Sequence, residues 1–204
     1  MKVYPIMLKV SGRRAVVVGG GAVAARKVRL LKEAGAQVTV VAESVADDAA
    51  LRDVELIRGP YRPQCLRGAA IVCACTDDRA LNARIAVDAR RAGALGNCAD
   101  QPEDCDFFTP AVVADGEVIV AVGTGGTAPS LTALLKERIA GALPARIGEF
   151  AAALAKLREK VKADVGDPHR RGGIMRKLSG PESYEAFRTG GEEALGKILK
   201  DLLP

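Results

Sequence analysis

With 204 residues, the chain is long enough for one large domain or for a domain of about 100–150 residues plus smaller appendages. Hydrophobic residues make up 49% of it, yet no apolar run approaches the roughly 18 residues that cross a bilayer. The opening MKVYPIMLKV lacks the long apolar core and cleavage site of a secretory signal, so a cytoplasmic protein without a membrane partner is expected. The formal net charge of +5 is uneven: Lys156–Lys177 hold eight basic and three acidic residues, 8 − 3 = +5. That segment is either a solvated helix face or a surface for a polyanion.

In chain order, residues 14–18 (RAVVV) read as a β-strand ending in Gly19-Gly20-Gly21. The following AVAARKVRLLKEAG has the apolar spacing of a helix stopped at Gly35. Further strands are expected at 37–41, 54–58, 69–76 and 94–99, with a helix over 79–91 before the last of them. Strands alternating with crossovers indicate a parallel sheet wound with helices. Beyond Asp106 the pattern changes. Runs 107–113 and 118–123 flank the turn 114–117 and predict an antiparallel hairpin. The rest reads as helical: one helix from Thr127 and Pro129 to Pro144, one over 146–165, and shorter ones near 173–179, 181–189 and 191–203. The fold class is therefore α/β, with a Rossmann-type parallel-sheet domain over residues 1–113. A hairpin-plus-helix region over 114–147 and a small helical domain over 148–204 follow it.

Five cysteines, Cys65, Cys73, Cys75, Cys98 and Cys105, are an odd number without a C-x-x-C pair. They indicate reduced thiols rather than a disulfide framework or zinc site. Cys73 and Cys75 share one face of a buried strand, where cysteine acts as a small hydrophobe. The lone His169 leaves no histidine-rich metal site and reads as part of a surface loop.

Gly19-x-Gly21-x-x-Ala24 follows a strand and opens a helix, the context in which a glycine pattern indicates dinucleotide binding. Gly19 serves the tight turn, Gly21 admits a pyrophosphate, Ala24 allows close helix packing, and the helix N-terminus attracts the anion. Glu43, after the second strand, is the candidate acceptor for the adenosine ribose and favours NAD; Arg26, Lys27 and Arg29 on the first helix pull towards NADP. We expect cofactor contacts from Gly19, Gly20, Gly21, Ala22, Val23, Ala24, Glu43, Thr76, Asp77 and Asn97. Asn97 and Asp100 fall at the carboxyl end of the fifth strand, the ligand edge of an open α/β sheet, which makes Asp100 a candidate general base. Asp100-x-x-Glu103 is also the pattern of a capping box, and Asp77 and Asp78 suit helix capping as well. GTGGTAPS, residues 123–130, is a second glycine-rich entry to a helix. Its amides and hydroxyls suit a carboxylate or phosphate, or it is an ordinary threonine-capped start.

The stretches YPIML, VVVGGGAVAARKVRLLKEAGAQVTVVAE, ACTDD, NCADQPEDCDFFTPAVV and VAVGTGGTAPSL together resemble the precorrin-2 dehydrogenase and sirohydrochlorin ferrochelatase family, from residue 4 to about residue 145. Later residues resemble only a basic helical tail. The resemblance implies a three-part subunit, a homodimer, NAD as cofactor and a tetrapyrrole substrate held between domains. It carries the family's general base onto Asp100 and substrate binding onto Thr124, Gly125, Gly126, Thr127 and Ser130. Some family members also insert ferrous iron, and some carry a methyltransferase domain of which these 204 residues show no sign; no resident metal and no nucleic-acid partner is implied. A polycarboxylate substrate would account for both the basic segment and the GTGGTAPS turn. The rival reading is an NAD-sensing module that contacts nucleic acid through its basic helices, although no recognition helix is evident. A short-chain alcohol dehydrogenase needs Tyr-x-x-x-Lys, and none of Tyr4, Tyr61 or Tyr184 has a lysine four residues on.

Overall fold

The computed structural model describes residues 3–203. The chain divides into two compact units, Met1–Thr109 and Pro110–Pro204. The division falls ahead of the hairpin, so both of its strands belong to the second unit.

The first unit is a five-stranded parallel sheet: β1 (Arg14–Val18), β2 (Gln37–Ala42), β3 (Glu55–Arg58), β4 (Ile71–Ala74) and β5 (Leu95–Cys98). The spatial order is β3-β2-β1-β4-β5. The register runs Val16↔Thr39 and Val16↔Val72 on the two sides of β1. Four of the five β1 residues are buried, as a strand covered on both faces requires. Helix α1 (Ala22–Glu33) closes one face, where Ala25 and Val28 meet Val17 and Val40. Helix α2 (Arg79–Arg91) closes the other, where Ile85 and Ala89 meet Val16 and Val72. Helices on opposite faces of a parallel sheet make the doubly wound arrangement, and its chain reversal lies between β1 and β4.

Segment 107–110 is not a strand, although its composition suggested one. The Phe107 carbonyl accepts from Asn97 Nδ2 (2.9 Å), Thr109 is held by Lys27, and Pro110 has no amide to donate. Pairing starts at Ala111, and the hairpin of β6 (Ala111–Asp115) and β7 (Val118–Val122) turns through Gly116-Glu117, two residues instead of the four expected.

Helix α3 (Pro129–Ala142) follows, then α4 (Ile147–Asp164), α5 (Pro168–Leu178) and α6 (Pro181–Leu202). Leu143, ahead of Pro144, leaves the helical region at ψ 134° and ends α3. Helix α5 begins five residues earlier than expected. Asp167 caps it by accepting from the His169 and Arg170 amides, and Pro168 fills the first turn. His169 therefore sits in a helical first turn, not a loop. The expected break between 189 and 191 is present: Gly191 (φ 63°, ψ −153°) divides α6 into two helical segments. Phe150, Leu157, Leu178, Phe187 and Leu195 form the core under α4–α6. No helix among the described residues is long and apolar enough to cross a membrane.

Candidate active site

The carboxyl ends of β1, β2 and β4 surround a cavity of about 690 Å3. Two glycines let the chain close in behind it. A Cβ on Gly19, whose φ is +118°, would strike the Cys75 carbonyl. One on Gly20 would strike the Ser44 carbonyl, because the loop after β2 packs on it and the Ala46 amide donates to Gly20 O at 2.7 Å. Gly21 differs: nothing lies within 4 Å of where its Cβ would be. Gly21 is also the N-cap of α1, with no side chain capping the helix, so the first-turn amides face outward without a side-chain acceptor. An open glycine beneath uncapped amides fits the pyrophosphate of a dinucleotide.

Glu43 is the first residue after β2, one step nearer than the sequence suggested, because the strand extends through Ala42. It is exposed and lines the cavity with Thr76 and Asp77. Asp78 lines it too and caps α2, its Oδ1 accepting from Ala80 N (2.9 Å) and Leu81 N (3.1 Å). Tyr61 also lines the cavity, and burial together with the neighbouring Asp88, which accepts from its hydroxyl at 3.1 Å, raises its pKa.

Of the remaining residues expected to touch the cofactor, Ala22 and Val23 are exposed on the first turn of α1, whereas Ala24 is fully buried beneath it. None of the three lines the cavity. Asn97 does not line it either. Its side chain is buried, accepts from Lys27 Nζ (2.7 Å), and donates to the Phe107 carbonyl and to Cys105 Sγ (3.4 Å). Lys27 likewise points inward, to Asn97 and to Thr109 Oγ1 (2.7 Å), and Arg29 lies 3.6 Å from Asp48. The basic face of α1 is thus smaller than its composition suggests.

Asp100 is exposed on the loop after β5, and its Oδ1 accepts from Asn82 Nδ2 at 3.3 Å. The capping-box alternative does not hold. The short helical turn Pro102–Asp104 has Gln101, not Asp100, as its N-cap and no side-chain cap, and Glu103 instead pairs with Arg79 at 3.2 Å. Asn82 is the residue that sequence reasoning missed. It lies four positions after the Asp78 cap, in the first turn of α2, and a polar side chain there reads as solvent-facing until the sheet is known to cover it.

In the second unit, Thr124 accepts from the Ala128 amide (3.1 Å), and Thr127 donates to the Thr124 carbonyl (2.7 Å). Ala128, not Thr127, is the N-cap of α3, and no side chain caps it conventionally. Gly125 and Gly126 take φ of 64° and 83°, and Ser130 is exposed in the first turn. In the basic segment, Lys156 pairs with Glu192 (2.6 Å) and Arg171 donates to the Val165 carbonyl (3.4 Å), so part of that charge serves internal contacts.

Residues 6–111, more than half of the chain, match an NAD(P)-binding family model. The chain belongs to this NAD(P)-binding family. It is 41% identical over 205 residues to the siroheme synthase of Methylococcus capsulatus, covering 98% of this chain and 43% of that protein. It is 36% identical over 207 residues to siroheme synthase 3 of Aeromonas hydrophila, covering 100% of this chain and 44% of that protein. The chain therefore spans less than half the length of the curated relatives it matches. Among solved structures, SirC, a precorrin-2 dehydrogenase, shares the fold with a TM-score of 0.77 at 21% identity, covering 98% of this chain and all of that one.

Proposed function

We propose that the protein oxidises precorrin-2 to sirohydrochlorin on the route to siroheme, with NAD as the electron acceptor. The observation that carries this reading is the bridge Thr76–Asn82–Asp100, which ties an exposed carboxylate to the wall of a dinucleotide cavity. The names of the siroheme synthase relatives and of SirC supply the substrate class. When bound, the oxidised nicotinamide supplies the hydride acceptor. Asp100 takes the accompanying proton, so each turnover removes one hydride and one proton from the macrocycle. Gly19, Gly20 and Gly21 hold the pyrophosphate. Glu43, directly after β2, holds the ribose hydroxyls and favours NAD over NADP. Thr124, Gly125, Gly126, Thr127 and Ser130 take carboxylates of the substrate through backbone amides and hydroxyls.

The working form is a homodimer, with the reaction in the cytoplasm. Helix α3 has no buried residue, and Leu131, Leu134 and Ile119 are 47–50% exposed, which supports a partner subunit against this face. The sensor alternative draws no support from the basic segment, part of whose charge is taken up by internal contacts.

The test is an anaerobic assay of precorrin-2 with NAD, followed by sirohydrochlorin absorbance, alongside Asp100→Ala. Turnover by the wild type and its loss in a folded variant are expected. No turnover with NAD or NADP, in protein that still binds dinucleotide, would overturn the proposal. Adding ferrous iron to the completed reaction then reads whether metal insertion follows.

A further inference from the structure

We infer that Asn82 is a positioning residue for the oxidation, one amide that locks the proposed base Asp100 to the cofactor wall. The inference rests on the functional reading above and extends it to a residue outside the cavity. Asn82 is wholly buried in the first turn of α2. Its Oδ1 accepts twice from Thr76, from the amide (3.1 Å) and from Oγ1 (2.7 Å). Its Nδ2 donates to the Thr76 carbonyl (2.9 Å) and to Asp100 Oδ1 (3.3 Å).

The amide's orientation follows from the Thr76 backbone, which offers an N–H on one side and a carbonyl on the other, so swapping oxygen and nitrogen would set donor against donor and acceptor against acceptor. One N–H is thereby left immobile and aimed at the carboxylate. A fixed neutral donor holds a carboxylate in place without adding charge. The backbone anchors the arrangement further: the Asn82 amide donates to the Asp78 carbonyl, and Cys98 Sγ donates to the Asn82 carbonyl (3.3 Å). Other titratable groups on the neighbouring segments are Arg79, paired with Glu103, and Cys98, Asp104, Asp77 and Asp78. None of them donates a hydrogen bond to Asp100 among the described residues, which leaves Asn82 as the side chain that orients it.

The experiment compares wild type, Asp100→Ala, Asn82→Asp and Asn82→Ala in the precorrin-2 assay with NAD, across pH. Thermal melting reports folding, and calorimetry reports dinucleotide affinity. Asn82→Asp keeps the shape but puts a second carboxylate against Asp100, and two adjacent carboxylates hold one proton between them. The expected result is a loss of kcat of about tenfold or more at neutral pH, because the donor that orients Asp100 is gone, and separately an acid limb of the rate profile moved up by about one pH unit. Asn82→Ala should lose kcat by a larger factor than it loses NAD affinity, with a smaller upward movement of the limb because a donor is lost and no charge is added. A purely structural role would lower the melting temperature and leave the profile in place. If Asn82→Asp does not fold, the kcat-against-affinity split of Asn82→Ala decides. Both variants keeping kcat within about twofold of wild type, while Asp100→Ala is inactive, would overturn the positioning role alone. A wild type that binds dinucleotide and never oxidises the substrate would overturn the functional reading, and this role with it.

Discussion

Gly21→Ala separates the glycine whose missing Cβ opens onto free space at the cavity from the two whose missing Cβ atoms would meet protein backbone. At Gly21 the backbone is extended (φ −87°, ψ −173°), a conformation alanine adopts freely, and no atom lies within 4 Å of the added Cβ. Losing a glycine N-cap and stiffening the unfolded chain act in opposite directions, each by less than about 1 kcal/mol, so the folding free energy should change by less than that. Binding should not be spared. The added methyl occupies the ground above the uncapped first-turn amides and holds the pyrophosphate away from them. Losing one charge-assisted hydrogen bond there removes about 1.5–3 kcal/mol, or roughly 10- to 100-fold in affinity. Gly20→Ala should behave differently, because its Cβ meets the Ser44 backbone carbonyl, and the loop after β2 must move for the chain to fold. Calorimetric titration with NAD and a thermal melt of each variant make the assay. The expected pattern is a large affinity loss with an unchanged melting temperature for Gly21→Ala, and a lowered melting temperature for Gly20→Ala. A Gly21→Ala protein that binds NAD within twofold of wild type would refute the placement of the pyrophosphate.

The buried thiols predict a loss of stability in alkali: burial pushes Cys73 up to about 11 and Cys75 up to about 12. Above about pH 9 the unfolded thiols ionise while these two stay protonated, so the native state holds more protons and stability falls with rising pH, by about 1.4 kcal/mol per pH unit for each thiol. The fall should stop once the folded thiols ionise in turn. Urea unfolding at pH 8 and pH 10 should show a smaller drop for Cys75→Ala than for wild type; equal drops would remove the thiol from the explanation. Leu134→Asp on α3, where the wild-type side chain is 47% exposed, should leave the melting temperature of the isolated subunit within a few degrees and convert a dimer to a monomer in sedimentation. A monomeric wild type, or a variant that remains dimeric, would exclude this face as the interface.

The parts of the molecule legible in the sequence are those governed by local rules. A β-branched run, a glycine turn and an apolar helical period are all short-range signals. They placed β1, α1 and the cavity edge, and with them Gly21 and Glu43, within a residue or two. Signals that depend on distant partners were illegible. Asn97 looked like a ligand-edge residue because β5 ends beside it, but its partners are Lys27, seventy positions earlier, and the segment 105–107. Segment 107–110 has the composition of a strand and is held in an irregular path by those same two side chains. The start of α5 is a local matter: the Asp167-Pro168 cap begins the helix at Pro168 and carries it through Gly172 and Gly173, ahead of the expected start near 173.

Burial of polar groups locates the part of the first unit under most constraint. Among the described residues of the first unit five polar or charged side chains are buried, and four of them, Lys27, Asn82, Asn97 and Gln101, lie on or against the segment from β5 to Asp106. Each such group is costly unless its hydrogen bonds are made, and no buried side-chain polar atom among the described residues lacks a partner. Hydrophobic residues of similar volume would hold a loop there more cheaply, but they would not fix the direction of a carboxylate. Arg90 adds to the same segment from the far end of α2, donating to Asp106 (2.8 Å) and to the Asp104 carbonyl (2.7 Å). The loop bearing Asp100 is thus tied at both ends and at its middle to one helix, while the carboxylate itself stays open to solvent. Glu103 and Asp106 on the same segment are engaged by arginines of that helix, whereas Asp100 meets only a neutral amide, which suits the proposed base, and a loop serving only to connect β5 to the second unit would need none of these bonds.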